Sequence, residues 1–216
     1  MVAQSLLTTG SLLLLIAPRN SINICKNNTD TSIPYFNRPV EDTVVRAGSA
    51  FHAEGGITAK VLEVITHADY NSISSYNDIK LLKLDRPITG KGGGRIINMI
   101  GQGQETAVET VARVSGWGQV TFENKNNSEV LRTVEVDIID HATCAAAYWY
   151  LTSGMICASR LNKDSCISDS GGPLAIDDNL LIGVVSFGYE CARESHPGVY
   201  AKVSNYRNWI HDNSGV

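Results

Sequence analysis

From residue 44 onward, short runs of hydrophobic residues alternate with polar or glycine-rich segments. In residues 44–48 and 57–65, β-branched residues alternate or cluster between glycines, which is typical of short antiparallel strands. The same pattern predicts strands over residues 130–139, 155–158 and 180–187. Apolar residues recur at helical intervals over residues 203–212, where we predict a helix, and the alanines of residues 145–152 favour a short helical turn.

Many short strands, with no long helix before the C-terminus, predict an all-β protein of two antiparallel six-stranded β-barrels and a C-terminal α-helix. We place the N-terminal half at residues 1–108 and the C-terminal half at residues 109–216. Residues 1–43 do not follow the strand pattern, so the first barrel is expected to be truncated or irregular. The apolar run of residues 11–17 is either a buried strand or the core of a signal peptide, and it is too short to span a bilayer.

The chain has 216 residues, 43% of them hydrophobic, and a formal net charge of −4. It is long enough to bury one large core or two small ones. Lysines and arginines are scattered along it, so binding to nucleic acid or to a membrane is not expected. We expect a monomer.

The five cysteines stand at positions 25, 144, 157, 166 and 191. They include no Cys-x-x-Cys pair of the kind that binds zinc, so disulfides are the better interpretation and no metal site is expected. Disulfides indicate an oxidising compartment. Two Asn-x-Ser/Thr sequons, at Asn27 and Asn126, also fit a secreted, extracellular protein, although each can arise by chance in a chain rich in asparagine.

Candidate chemistry is concentrated in residues 163–174, Lys-Asp-Ser-Cys-Ile-Ser-Asp-Ser-Gly-Gly-Pro-Leu. Ser170 stands there between an aspartate and two glycines, and glycine allows a turn that exposes a hydroxyl and directs amides toward one point. The segment resembles the nucleophile segment of the trypsin-like serine proteases, which have the chymotrypsin fold and typically carry Asp-Ser-Cys-Gln-Gly-Asp-Ser-Gly-Gly-Pro. The resemblance implies that Ser170 is the nucleophile of a Ser-His-Asp triad.

Two further segments resemble the same family. Residues 112–118 are similar to its Val-Ser-Gly-Trp-Gly strand, and residues 76–84 are similar to its Asn-Asp-Ile-Ala-Leu-Leu-Lys-Leu strand. In the family, the aspartate of the second segment orients the catalytic histidine, which implies this role for Asp78. Without the resemblance, Asp78 would be interpreted as an exposed turn residue at the start of a strand.

The resemblance also implies a pocket for arginine or lysine side chains. Asp164 lies where trypsins have the base of the specificity pocket, and a carboxylate in a narrow slot favours a charge-assisted hydrogen bond with a basic group. The walls would include Ser186, Gly188 and Gly198, and the two glycines would leave room for a long side chain. The alternative is that Asp164 is a solvated loop carboxylate.

Two disulfides are implied by the resemblance, Cys144–Cys157 and Cys166–Cys191. The second would tie the nucleophile loop to the strand that lines the pocket. Cys25 is left without a partner.

Two departures from the family concern the chemistry. The family's oxyanion hole implies the backbone amides of Ser168 and Ser170, but the family has glycine where this chain has Ser168, so we expect a flipped peptide or a crowded hole. The family also pairs the aspartate that matches Asp169 with the freed amino terminus of the mature chain. No recognisable activation start is present here, so we expect a loosely formed pocket.

No histidine matches the family's general base. The five histidines each fit a loop or surface position better, and they stand at positions 52, 67, 141, 196 and 211. An alignment of the irregular N-terminal part with the family places Ile24 at the position of the base.

The sequence therefore predicts a secreted trypsin-family homologue whose substrate or binding partner is a protein or peptide with basic residues. It is expected to lack peptidase activity as written, because a serine without an adjacent base is a poor nucleophile. The alternative is an active trypsin-like endopeptidase, cleaving after arginine or lysine, whose first segment is incomplete or mis-joined in this sequence. No cofactor is expected in either case.

Overall fold

The computed structural model describes residues 43–216 with their side chains and residues 2–3, 11–15 and 21–26 as backbone strands. The strands of the first half are β1 (Val2–Ala3), β2 (Ser11–Leu15), β3 (Ser21–Lys26), β4 (Thr43–Ser49), β5 (Ile57–Thr66) and β6 (Lys80–Leu84). They form a six-stranded sheet in the order β1-β2-β6-β5-β4-β3, in which neighbouring strands are antiparallel.

The second half contains a closed barrel. Its strands are β7 (Asn98–Met99), β8 (Val111–Gly116), β9 (Arg132–Ile139), β10 (Met155–Ser159), β11 (Pro173–Ile176), β12 (Leu180–Phe187) and β13 (Gly198–Lys202). Six of them run in the order β11-β8-β9-β10-β13-β12, and the ring closes because β11 also pairs with β12. β7 adds a short parallel pairing to β12. These two sheets and the C-terminal helix confirm the predicted all-β fold.

Hydrophobic side chains face the inside of each half. In β4 the buried residues are Val45, Ala47 and Ser49, as expected for a strand whose alternate side chains point to one face. β13 is buried at its first four residues, because it lies between β10 and β12. The larger core fills the second barrel and extends under the C-terminal helix, where Tyr206 and Ile210 are buried.

The two helices lie in the second half. α1 (His141–Ala147) begins four residues before the helical turn predicted for residues 145–152. The reason is an N-cap: the Asp140 carboxylate accepts a hydrogen bond from the backbone N–H of Thr143 and so starts the helix earlier. α2 (Val203–Ser214) begins where the sequence predicts and ends at Gly215, which adopts a left-handed φ of 74°.

The N-terminal part is described only in its strand backbones. β2 lies within the apolar run of residues 11–17, which agrees with the strand interpretation of that run. Cys25 lies in β3 opposite Val44, and its side chain is outside the described residues, as is Asn27. No helix among the described residues is long and apolar enough to cross a membrane.

Both disulfides implied by the family resemblance are present. Cys144 is bonded to Cys157, which joins α1 to β10. Cys166 is bonded to Cys191 across a sequence separation of 25 residues. The second bond connects the loop before β11 to the loop between β12 and β13, and it thereby links the two loops that carry most of the candidate site.

Candidate active site

Ser170 lies in a loop that is anchored on β12. The N–H of Gly171 donates to the carbonyl of Val185 at 2.9 Å, and the N–H of Val185 donates to the carbonyl of Gly172 at 2.8 Å. These two hydrogen bonds fix the chain immediately after Ser170, and Ser170 itself is exposed. Within residues 43–216, the Ser170 hydroxyl has no hydrogen-bond partner.

Ser168 adopts a backbone conformation that favours glycine. Its φ is 73°, and holding a side chain in this left-handed region costs about 1–2 kcal/mol. In the part of the chain described with side chains, neither the N–H of Ser168 nor that of Ser170 donates to a protein acceptor. The amides of Ser168 and Ser170, on either side of Asp169, are therefore available to a negatively charged oxygen.

Asp169, between these two serines, points into the protein. Its carboxylate accepts hydrogen bonds from the N–H of Gly118 at 2.8 Å and the N–H of Cys166 at 3.0 Å. Burial raises the pKa of the Asp169 carboxyl, and these two hydrogen bonds oppose the rise. A Cβ added to Gly118 would lie 2.5 Å from the Asp169 Cγ atom, so the close approach of this carboxylate requires glycine there. Within residues 43–216, no cation is paired with Asp169.

Asp78 joins the two halves of the molecule. It lies just before β6, and its Oδ2 atom accepts a 2.7 Å hydrogen bond from the hydroxyl of Ser186 on β12. The preceding residue, Asn77, is held from the other side, because the Tyr206 hydroxyl of α2 donates to its side-chain oxygen at 3.2 Å. The structure thus brings together Asp78, which resembles the family's orienting aspartate, and Ser186, which was predicted as part of a pocket wall.

Asp164 lies beside Gly198, which in turn lies beside Gly188, and we refer to the region around these three residues as the Asp164 slot. Its carboxylate accepts hydrogen bonds from the N–H of Ser165 at 2.8 Å and the N–H of Ala192 at 3.2 Å. A Cβ added to Gly198 would lie 2.5 Å from the Asp164 Oδ1 atom, and a Cβ added to Gly188 would lie 3.9 Å from the Cα atom of Gly198. The predicted pocket residues Asp164, Gly188 and Gly198 therefore occur together.

Burial raises the pKa of the Asp164 carboxyl to about 6. The hydrogen bonds from Ala192 and Ser165 oppose this rise, and the negative charge of Asp169 adds to it. No cation among residues 43–216 is paired with Asp164. At neutral pH the slot consequently holds an ionised carboxylate whose partners are neutral N–H groups.

In the part of the chain described with side chains, four histidine side chains contact groups other than Ser170 and Asp78. The Nδ1 atom of His67 accepts a hydrogen bond from the N–H of Asp69, and its ring packs 5.2 Å from that of Trp209. The other three histidine contacts are His141 with the Thr152 carbonyl, His196 with the Ser195 hydroxyl and His211 with the Asp212 carboxylate.

Two sequence positions that bear on a general base are placed as follows. His52 follows β4, and its N–H donates to the carbonyl of Glu129. Ile24 lies in β3 opposite Val45, and its side chain is outside the described residues.

Tyr148 supports the pocket but was not predicted to do so. Its buried hydroxyl donates to the carbonyl of Pro197 at 3.0 Å and accepts from the N–H of Tyr189 at 3.2 Å. It therefore ties the segment before Gly198 to the segment after Gly188. The sequence signal is the Tyr-Trp-Tyr run of residues 148–150, which lies within the segment where the alanines predict a helical turn.

Comparison with known proteins gives consistent matches. The Trypsin family model matches residues 36–210. Trypsin delta of Drosophila melanogaster is 37% identical over 174 residues, which cover 79% of this chain and 68% of the relative. Trypsin 5G1 of Aedes aegypti is 39% identical over 177 residues, covering 80% and 66% respectively. A vitellin-degrading protease of Bombyx mori is 39% identical over 178 residues, covering 80% and 67%. The chain therefore spans about two thirds of the length of these relatives.

Proposed function

The chain belongs to the trypsin family of serine proteases, and from this premise we propose that it is a secreted protein that binds arginine or lysine side chains of peptides and proteins. The Asp164 slot is the binding site. The chain has no peptidase activity of its own.

The observation that carries the proposal is the Asp164 carboxylate. It is largely buried, it is ionised at neutral pH, and it has two neutral N–H partners but no cation among residues 43–216. A buried charge without a counter-ion is unfavourable, so a guanidinium or ammonium group entering the slot would relieve that cost. The glycines at 188 and 198 place no side chain of their own beside the Asp164 carboxylate.

The lack of peptidase activity is supported by the partners of the triad candidates. The Asp78 carboxylate accepts a hydrogen bond from Ser186, and the imidazoles of His67, His141 and His196 contact groups other than Ser170. A serine hydroxyl needs an adjacent base to become a strong nucleophile.

A second candidate function is an active endopeptidase that cleaves after arginine or lysine, for which the present sequence is an incomplete version. It is favoured by the exposed Ser170 hydroxyl and by the two unengaged amides of Ser168 and Ser170. Those groups are what acyl transfer requires from the nucleophile and the oxyanion hole.

Activity is tested with the purified full chain. We would measure turnover of an arginine amide substrate and labelling by a fluorophosphonate probe, each beside the Ser170→Ala variant. The proposal expects the wild type and the variant to behave alike. Turnover or labelling that disappears in Ser170→Ala would establish the second candidate instead.

Binding is tested separately by calorimetry with Nα-acetyl-arginine amide and, as the uncharged control, Nα-acetyl-leucine amide. The arginine compound is expected to bind more tightly. Replacing Asp164 with asparagine should weaken its binding by about 10- to 100-fold, since a hydrogen bond to a charged partner contributes roughly 1.5–3 kcal/mol. Equal binding of the two compounds, or an Asp164→Asn variant that binds like wild type, would contradict the assigned site.

A further inference from the structure

A second carboxylate lies in the loop that lines the Asp164 slot. Glu190 follows Gly188 by two residues, and its carbonyl oxygen would lie 3.9 Å from a Cβ added to Gly188. Two residues later, the N–H of Ala192 donates to Asp164. Between them, Cys191 fixes the loop to the nucleophile segment through its disulfide with Cys166. The backbone of Glu190 is therefore held beside Gly188, next to a disulfide-bonded residue and close to the residue that donates to Asp164.

The conformation of Glu190 is unusual for a residue with a side chain. Its φ is 60°, in the left-handed region that favours glycine. Its side chain is only 21% exposed, whereas that of its ion-pair partner Arg193 is 59% exposed. The Glu190 carboxylate is thus mostly shielded from solvent, while the Arg193 guanidinium that neutralises it extends into solvent.

Arg193 forms an ion pair with Glu190. The pKa of its guanidinium is raised first by the hydrogen bond to Glu190, and Glu123 contributes a smaller part. An ion pair with so exposed a partner contributes little to stability, because water screens the attraction between the two charges. Arg193 can therefore leave Glu190 at little cost, since water can solvate its exposed guanidinium.

We propose that Glu190 is a second recognition carboxylate, occupied by Arg193 in the free protein, and that the site prefers peptides with two basic side chains. This inference rests on the proposed binding of a basic side chain at Asp164. One cation enters the slot, and the second displaces Arg193 from Glu190 at its rim.

The spacing of the two basic residues follows from the geometry of extended peptides. Alternate side chains of an extended segment point to the same side, about 7 Å apart. A ligand that inserts one arginine into the slot would present the residue two positions away on the same side. We therefore expect the pattern Arg-x-Arg to bind better than two adjacent arginines.

The test measures peptide binding by calorimetry in the Ser170→Ala background, so that no cleavage can interfere. The probes are the acetylated tripeptide amides Leu-Gly-Arg, Arg-Gly-Arg and Gly-Arg-Arg. We expect Arg-Gly-Arg to bind about fivefold more tightly than Leu-Gly-Arg, as one additional partly exposed ion pair would provide. We expect Gly-Arg-Arg to gain less.

Variants distinguish recognition by Glu190 from a purely structural role of the ion pair. Glu190→Gln should remove the gain of Arg-Gly-Arg while leaving Leu-Gly-Arg binding unchanged. Arg193→Gln should increase the gain, because the competing cation is lost. Glu194→Gln changes the same charge at an exposed position of the same loop and should leave the gain intact.

The outcomes separate this inference from the proposed function. If Leu-Gly-Arg binding is absent or insensitive to Asp164→Asn, the proposed slot is wrong. If that binding depends on Asp164 but Arg-Gly-Arg gains nothing, the role of Glu190 is wrong. A loss of the gain in Arg193→Gln as well as in Glu190→Gln would mean that the pair only braces the loop, and the inference would be overturned.

Discussion

Replacing Asp164 with asparagine should remove a pH-dependent loss of stability from the free protein while it weakens ligand binding. The ordinary pKa of an aspartic acid is 3.8, and burial raises that of Asp164 to about 6 in the folded state. A carboxyl whose folded pKa is raised binds more protons in the folded than in the unfolded state between these two values. The free energy of unfolding therefore falls as the pH rises through this window.

The size of the effect follows from the two pKa values. Ionising a carboxyl with this shift costs at most about 3 kcal/mol of stability when both states are fully ionised. At pH 4.5 only about 1 kcal/mol of this cost is present, so the difference between pH 8 and pH 4.5 is about 2 kcal/mol. Asparagine cannot accept both hydrogen bonds that Asp164 accepts, from Ser165 and Ala192, but that loss is nearly the same at both pH values.

The assay is urea unfolding of wild type and Asp164→Asn at pH 8 and pH 4.5. At each pH we subtract the free energy of unfolding of the wild type from that of the variant. We expect this difference to be about 2 kcal/mol more positive at pH 8 than at pH 4.5. Asp85→Asn is the control with the opposite sign, because the hydrogen bond from Arg86 lowers the pKa of the Asp85 carboxyl. If Asp164→Asn changed stability equally at the two pH values, the burial of an unpaired charge in the slot would be refuted.

Three further changes test the supports of the site. Ser168→Gly should raise the free energy of unfolding by about 1 kcal/mol, because glycine adopts the left-handed φ without strain. The control Ser165→Gly should not stabilise the protein. Equal effects of the two substitutions in urea unfolding would contradict this. Replacing Cys166 and Cys191 together by serine should lower stability by about 3–4 kcal/mol, as expected for a loop of this length, and an unchanged urea midpoint would argue against the entropic estimate. Tyr148→Phe should lower the free energy of unfolding by about 1–3 kcal/mol and weaken arginine amide binding, because the two backbone partners of the Tyr148 hydroxyl lose their hydrogen bonds. Binding equal to wild type would show that this tyrosine does not position the pocket.

Local sequence was sufficient for most strands after residue 43 and for the segments that resemble the trypsin family, but it did not predict β3, which lies in the part expected to be irregular. Strands such as β12 match the prediction at both ends, because alternating or clustered β-branched residues between turn residues specify short strands. The start of α1 was misplaced since the alanines suggested a later turn, while the Asp140 cap begins the helix at His141. The aromatic run after α1 gave no indication of its role, because the partners of Tyr148 lie more than 40 residues away along the chain.

The sequence by itself determined the family, the strand pattern and the positions of Ser170, Asp78 and Asp164, because these depend on which residues stand next to each other. Only the tertiary structure decided what each of them contacts. The hydrogen bond from Ser186 to Asp78 joins residues 108 positions apart, and the hydrogen bond from the Ala192 N–H to Asp164 joins residues 28 positions apart. Such contacts arise when two packed halves and a disulfide-linked pair of loops bring distant segments together, and burial at those junctions then sets the pKa of Asp164.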